Sequence, residues 1–247
     1  MMAGIQTAKK DLRKRMREVL QRIPADSITN QSKNVTSRLL SLPEYQSAKR
    51  IGVYLSMPSG ELSTSLIVED ALKSQKEVFV PYIHSIETAS EQKKMSVMDM
   101  LVLESMEEFG ALQRDKWGIP SLSEAQALSK RNCFGGIGVS DAAGLSKDDT
   151  ATATATAGLD LIVMPGMAFD PGFRRLGHGK GYYDSFLTRY LRWEAEIGVE
   201  TRKMPLLVAL SLAEQTLSPP EKVPVTNHDW LVDIVIVGDD RCLLRQQ

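Results

Sequence analysis

The sequence predicts an α/β fold: a single three-layer domain whose largely parallel central sheet is flanked by helices. Three observations predict it. Short β-rich runs alternate with helix-patterned segments along most of the chain. Five of them, Arg50–Leu55 (RIGVYL), Glu77–Tyr82 (EVFVPY), Leu159–Met164 (LDLIVM), Pro205–Ser211 (PLLVALS) and Asp233–Val237, are dominated by apolar residues, as strands covered on both faces are. The order strand–helix–strand between residues 50 and 82 is a βαβ unit, which implies a parallel pair with a right-handed crossover.

The elements follow in chain order. Leu12, Met16, Val19, Leu20 and Ile23 recur at helical spacing and predict an amphipathic N-terminal helix that Pro24 ends. Asp26 or Ser27 can cap a second helix running to about Leu42, with Val35, Leu39 and Leu40 inward. After the first strand, Ser56–Gly60 is a loop of turn formers, and Leu62–Gln75 reads as a helix. Met95–Leu103 is a further strand, and Tyr182–Trp193 a helix. Residues 140–158 contain ATATATA and KDDT with almost no large apolar side chain. They read as a mobile low-complexity insertion within one domain spanning 1–247.

Composition narrows the function. The 247 residues are 43% hydrophobic and 25% charged, with 30 Lys and Arg against 31 Asp and Glu. Disordered, collagen-like and disulfide-stapled classes are excluded. A net charge of −1 offers no whole-molecule reason to bind nucleic acid or a membrane. Cys133 and Cys242 read as free thiols in a reducing compartment. No apolar stretch reaches the roughly 20 residues of a membrane span. Seven of the first 22 residues are basic, which admits a mitochondrial presequence, but Asp11 and Glu18 count against one. The expectation is a cytoplasmic monomer, with a mitochondrial pool as the alternative.

The segment Met164–Leu187, MPGMAFDPGFRRLGHGKGYYDSFL, carries the chemistry. It leaves a strand, crosses a loop and enters a helix. Gly177, Gly179 and Gly181 alternate, so backbone N–H groups can face one concavity. Arg174, Arg175, His178 and Lys180 surround it with positive or potentially positive charge, and the following helix adds its N-terminus. A phosphate-bearing ligand suits all three devices. The spacing is neither a Walker A loop nor the dinucleotide fingerprint, whose third glycine is Tyr182 here. Asp184 is either a helix-favouring acid at the positive dipole end or a Mg²⁺ ligand beside phosphates, with Asp229 one candidate for a second carboxylate.

The string RLGHGKGYYD after MPGMAFD resembles the signature of the 5-formyltetrahydrofolate cyclo-ligase family, approximately PGxxFDxxGxRLGRGxGYYDxxL. The resemblance extends over AKKDLR, YLSMPSGEL, WGIP at Trp117–Pro120 and VPVTNHDWLVD. It implies ATP- and Mg²⁺-dependent conversion of 5-formyltetrahydrofolate to 5,10-methenyltetrahydrofolate. By matching position it implies that Lys9, Lys10 and Arg13 contact ATP, with Arg175, Leu176, Gly177, His178, Gly179, Lys180, Gly181, Tyr182 and Tyr183 as the phosphate loop. It implies Asp184 and Asp229 as metal acids. It further implies that Leu55, Glu61 and Trp117 line the folate site and that His178–Tyr182 border both ligands. Lys180, Arg175, His178 and Tyr182 are the residues expected to act on the reacting groups. The family often has Arg where this chain has His178, so phosphate affinity is expected either to fall or to depend on pH. The alternatives are a non-catalytic folate- or nucleotide-binding protein and another phosphate-ester enzyme on a similar scaffold.

Overall fold

The computed structural model describes residues 2–87, 94–140, 158–197 and 203–246. The strands are β1 (Arg50–Val53), β2 (Glu77–Glu87), β3 (Lys94–Leu103), β4 (Gln113–Arg114), β5 (Pro120–Ser121), β6 (Leu161–Met164), β7 (Ala168–Phe169), β8 (Arg175–Leu176), β9 (Leu206–Ser211), β10 (Ile234–Val237) and β11 (Cys242–Leu244). The helices are α1 (Met2–Leu20), α2 (Ala25–Leu40), α3 (Pro43–Ser47), α4 (Ser65–Lys73), α5 (Met106–Ala111), α6 (Glu124–Ser129) and α7 (Tyr182–Ile197). Seven strands form the main sheet in the order β3-β2-β1-β6-β9-β10-β11. The five from β2 to β10 are parallel, and β3 and β11 close the edges antiparallel.

Alternating side chains of the apolar strands enter two different cores. Ile51, Val53, Val78, Leu161, Val163 and Val208 pack with Val35 and Leu39 of α2 and Ile67 and Val68 of α4. Phe79, Ile162, Met164, Ala209 and Val235 pack with Phe186, Leu187, Tyr190 and Trp193 of α7. These are the three layers. A smaller third core joins Leu12 and Met16 of α1 to Met167, Ala168, Leu176, Leu217 and Val223. Burying each of those two α1 side chains contributes about 1.5–3 kcal/mol, so α1 is held against the segment that follows β6.

Several boundaries differ from those expected. No side chain caps α2: extended Pro24 precedes it, and Asp26 sits in its first turn instead. β2 runs past Tyr82 because it pairs with β3 from Val78↔Leu103 to Glu87↔Lys94. That arm leaves Ile83 and Ser85 exposed, so no continuous apolar run marks it. β11 is only three residues long, and its pairing with β10 defines it. The expected insertion lies outside the described residues except for Ser140 and Gly158.

The topology selects one crevice. From β1 the chain moves to β2 on one side, whereas β6 leads to β9 and β10 on the other. Val53 and Val163 lie side by side where those strands end. Ligands of open α/β sheets bind at such a switch point, outside the carboxyl ends of the strands. The β1 loop carries Leu55 and Glu61, and the β6 loop carries the glycine-rich segment.

Candidate functional site

The glycine segment begins from a small hairpin. β7 pairs with β8, and buried Asp170 ties their connection together. Its carboxylate accepts from the N–H groups of Gly172, Arg174 and Val223 and from the Arg174 guanidinium. Arg174 is therefore turned into this hairpin rather than toward a shared concavity. Gly179 and Gly181 adopt φ values of +104° and +68°, whereas Gly177 does not occupy that region. Gly181 O accepts from Ser185 N, so α7 starts directly beyond the loop.

The N-terminal helix lies on this loop. Arg13 Nε donates to Gly177 O at 2.8 Å, and a methyl group at Gly179 would stand 3.3 Å from the Arg13 guanidinium carbon. Burial lowers the Arg13 pKa, against the charge of Asp229. The two cationic clusters, far apart in sequence, thus meet. His178 is exposed, yet the surrounding protein and then the charges of Arg175, Arg13 and Arg17 lower its pKa. The protein alone favours neutral imidazole, whereas an adjoining phosphate favours the cation. Lys10 and Lys180 are exposed, and Tyr182 is half-buried.

The two candidate metal acids also converge. Trp230 N donates to Asp184 Oδ1 at 3.0 Å, which puts the backbone beside Asp229 against the first turn of α7. Both carboxylates already have partners. Arg175 Nη2 lies 3.0 Å from each oxygen of Asp184. Lys9 Nζ lies 2.6 and 2.7 Å from the oxygens of Asp229, which also accepts from the N–H and hydroxyl of Thr226. Burial pushes the Asp229 carboxyl up, but the bonds from Lys9 and Thr226 outweigh it and hold it low. All-oxygen donors suit a hard divalent cation. Among the described residues no group of three or more His, Cys, Asp or Glu side chains is placed to hold a metal, so a divalent ion at these two acids would need further oxygens from outside the protein.

On the other side of the switch point, Leu55 is buried, and Glu61 Oε2 accepts from Met57 N at 2.8 Å. Burial raises the Glu61 pKa to about 7 despite that hydrogen bond. Glu61 is therefore no ordinary solvated loop acid. Its charge acts on Tyr54 and Tyr183. The Tyr183 hydroxyl is buried without a hydrogen-bond partner, and its ring lies 5.8 Å from the Arg175 guanidinium carbon. Trp117 is 55% exposed, with Lys116 Nζ 4.3 Å from its ring centroid. Its neighbour Gly118 abuts Pro58 in the loop that carries Glu61.

The structure thus brings Lys9, Arg13, Arg175, Asp184 and Asp229 together about the 177–183 segment, with Glu61 close enough to act on Tyr183. It adds residues that sequence reasoning did not single out. Thr226 and Trp230 position the acids, Tyr54 feels the charge of Glu61, and Arg17 acts on His178. Thr226 and Trp230 flank Asp229 within the quoted VPVTNHDWLVD, which was the available signal.

Comparison with known proteins places the chain in a family and a fold. Residues 5–238 match the model of the 5-formyltetrahydrofolate cyclo-ligase family. The chain is 32% identical over 235 residues to a mouse 5-formyltetrahydrofolate cyclo-ligase, covering 95% of this chain and 96% of the mouse protein. It is 31% identical to a mitochondrial 5-formyltetrahydrofolate cyclo-ligase of Arabidopsis thaliana, covering 92% and 73%. In fold it resembles the NMR structure of Aquifex aeolicus 5,10-methenyltetrahydrofolate synthetase, with a TM-score of 0.60, 24% identity and coverage of 97% and 94%.

Proposed function

The chain belongs to the 5-formyltetrahydrofolate cyclo-ligase family and is an enzyme; on that premise we propose that it closes 5-formyltetrahydrofolate to 5,10-methenyltetrahydrofolate at the expense of ATP, with Mg²⁺. The observation that carries this reading is the contact of Arg13 with Gly177. It gathers both cationic clusters at one crevice, where a single small polyanion satisfies them.

The chemistry suits these side chains. A formamide carbonyl is a poor electrophile. Its oxygen attacks the γ-phosphorus of ATP, the bond to ADP breaks, and the formyl oxygen becomes a phosphate leaving group. N10 then attacks the formyl carbon, the carbon–oxygen bond breaks, phosphate departs, and N10 loses its proton. No covalent protein nucleophile is required. The protein aligns the formyl oxygen with phosphorus and neutralises charge. Lys180, Arg175 and His178 act on the phosphates, and Tyr182 borders the transferring group. Lys9, Lys10 and Arg13 hold the nucleotide from α1. Leu55, Glu61 and Trp117 receive the folate, Glu61 facing its donor-rich pteridine edge. Asp184 and Asp229 would hold Mg²⁺, which supplies neutralising charge to the phosphate oxygens.

The proposal places the enzyme in the cytoplasm as a monomer acting on a small molecule, without nucleic acid or membrane as partner. The name of the Arabidopsis relative supports a mitochondrial pool as well. The test is the near-ultraviolet absorbance of the methenyl product with saturating ATP and Mg²⁺. Absorbance is expected to rise, and Lys180→Ala to slow it. No rise, together with tight folate binding in calorimetry, would instead identify a binding protein.

A further inference from the structure

Each carboxylate of the proposed metal site is held by a cation of the proposed nucleotide site. Lys9 Nζ contacts both oxygens of Asp229 at 2.6 and 2.7 Å, and Arg175 Nη2 contacts both oxygens of Asp184 at 3.0 Å. The two pairs form one unit, because the N–H next to Asp229 in the chain, that of Trp230, donates to Asp184. Both cations are well covered, with side-chain exposures of 9% for Lys9 and 3% for Arg175. An ammonium touching both oxygens of Asp229 fills the approach that a divalent ion would use. Arg175 is not saturated by its acid, since its Nε is buried without a partner.

We propose that Lys9 and Arg175 are resident counter-ions, and that nucleotide and divalent cation load by exchanging these two ion pairs. The polyphosphate draws Lys9 and Arg175 from Asp229 and Asp184, and the metal takes the place they leave. This rests on the reading that nucleotide and metal share the crevice.

Charge balance makes the exchange reciprocal. The four side chains sum to zero, so a divalent cation arriving alone adds two positive charges to an already neutral cluster. Displacing Lys9 without an acceptor for its ammonium leaves a covered cation unpaired, which is costly. A polyphosphate arriving alone strips the acids of their partners and strands two carboxylates. Together the ligands re-pair every group: ammonium and guanidinium with phosphate, carboxylates with metal. Each ligand therefore raises the other's affinity by the same factor. Lys9 is the residue that makes the metal site conditional on nucleotide, beyond any direct contact it makes with ATP.

The probe is Mn²⁺, followed by electron paramagnetic resonance titration of the full chain, with and without a non-hydrolysable ATP analogue. Nucleotide-free wild type is expected to bind Mn²⁺ weakly. Lys9→Met is expected to bind it at least about tenfold more tightly without nucleotide, within the usual range of coupling between sites. Adding Asp229→Asn to Lys9→Met should remove the gain. Lys9→Gln makes the same comparison should the first variant misfold, with circular dichroism verifying the fold of each. Equal Mn²⁺ affinity in nucleotide-free wild type and both Lys9 variants overturns the exchange. Asp184→Asn and Asp229→Asn are titrated in the analogue complex to separate the two readings. Insensitivity of Mn²⁺ there removes the metal assignment itself; sensitivity there, with no gain in the Lys9 variants, removes only the exchange.

Discussion

Arg175 and Asp184 clasp the two ends of the glycine loop: the guanidinium at the start of β8 reaches both carboxylate oxygens in the first turn of α7, nine residues on. The pair closes the 177–181 loop into a ring. Asp184→Ala leaves a buried guanidinium unpaired. A loss of about 3 kcal/mol of stability is expected, toward the lower end for broken buried pairs because Asp184 is 20% exposed. Urea unfolding measures it.

The Arg13–Gly177 bond fixes the face of the loop proposed to meet the nucleotide. Arg13→Lys keeps the charge but loses the rigid Nε donor. An increase of about fivefold in the KM for ATP is expected, as one lost hydrogen bond of about 1 kcal/mol gives. Unchanged KM would show that α1 contributes only net charge.

Gly179 and Gly181 both sit at positive φ, but only Gly179 faces Arg13. Alanine at either costs about 1–2 kcal/mol of backbone strain. Gly179→Ala also pushes on the guanidinium, whereas a methyl at Gly181 meets open space. Gly179→Ala is therefore expected to melt lower than Gly181→Ala and to show the larger loss of ATP affinity.

His178 titrates below its ordinary 6.5 in the protein alone. A depressed histidine contributes stability above its unfolded pKa that is lost as pH falls through the folded one. Phosphate reverses the preference, so ATP binding should take up a proton near and below pH 6.5, and affinity should rise as pH falls. Calorimetry in buffers of different ionisation enthalpy counts the proton. His178→Arg should abolish the uptake.

Glu61 has the opposite sign. Its pKa rises from 4.5 to about 7, so its contribution to stability is full below 4.5 and is lost as pH climbs through 7. Glu61→Gln should gain stability over wild type at pH 8.5 and not at pH 4, read from urea midpoints. Folate affinity in the variant should lose its dependence on pH across the same window.

The strands covered on both faces were legible because burial writes itself as apolar runs: β1, β6, β9 and β10 each lie within or at the edge of the expected spans. The arm of β2 beyond Tyr82, the two-residue strands β7 and β8 and the edge strand β11 were not, since half-exposed or very short strands carry no such pattern. The cap of α2 was misplaced because local capping chemistry at Asp26 and Ser27 competes with the extended geometry that Pro24 imposes.

By itself the sequence determined the fold class, the order of the main elements and the residue types of the glycine-rich loop, because periodicity, glycine and charge are local properties of the chain. Only the tertiary structure decided that Arg174 turns to Asp170, that Arg13 meets Gly177, and that Lys9 and Arg175 lie on the two acids. Those pairings join positions distant in the chain, or face apart along it, and depend on burial. An ammonium near a carboxylate is a weak attraction in water; covered by protein, the same pair is held far more strongly.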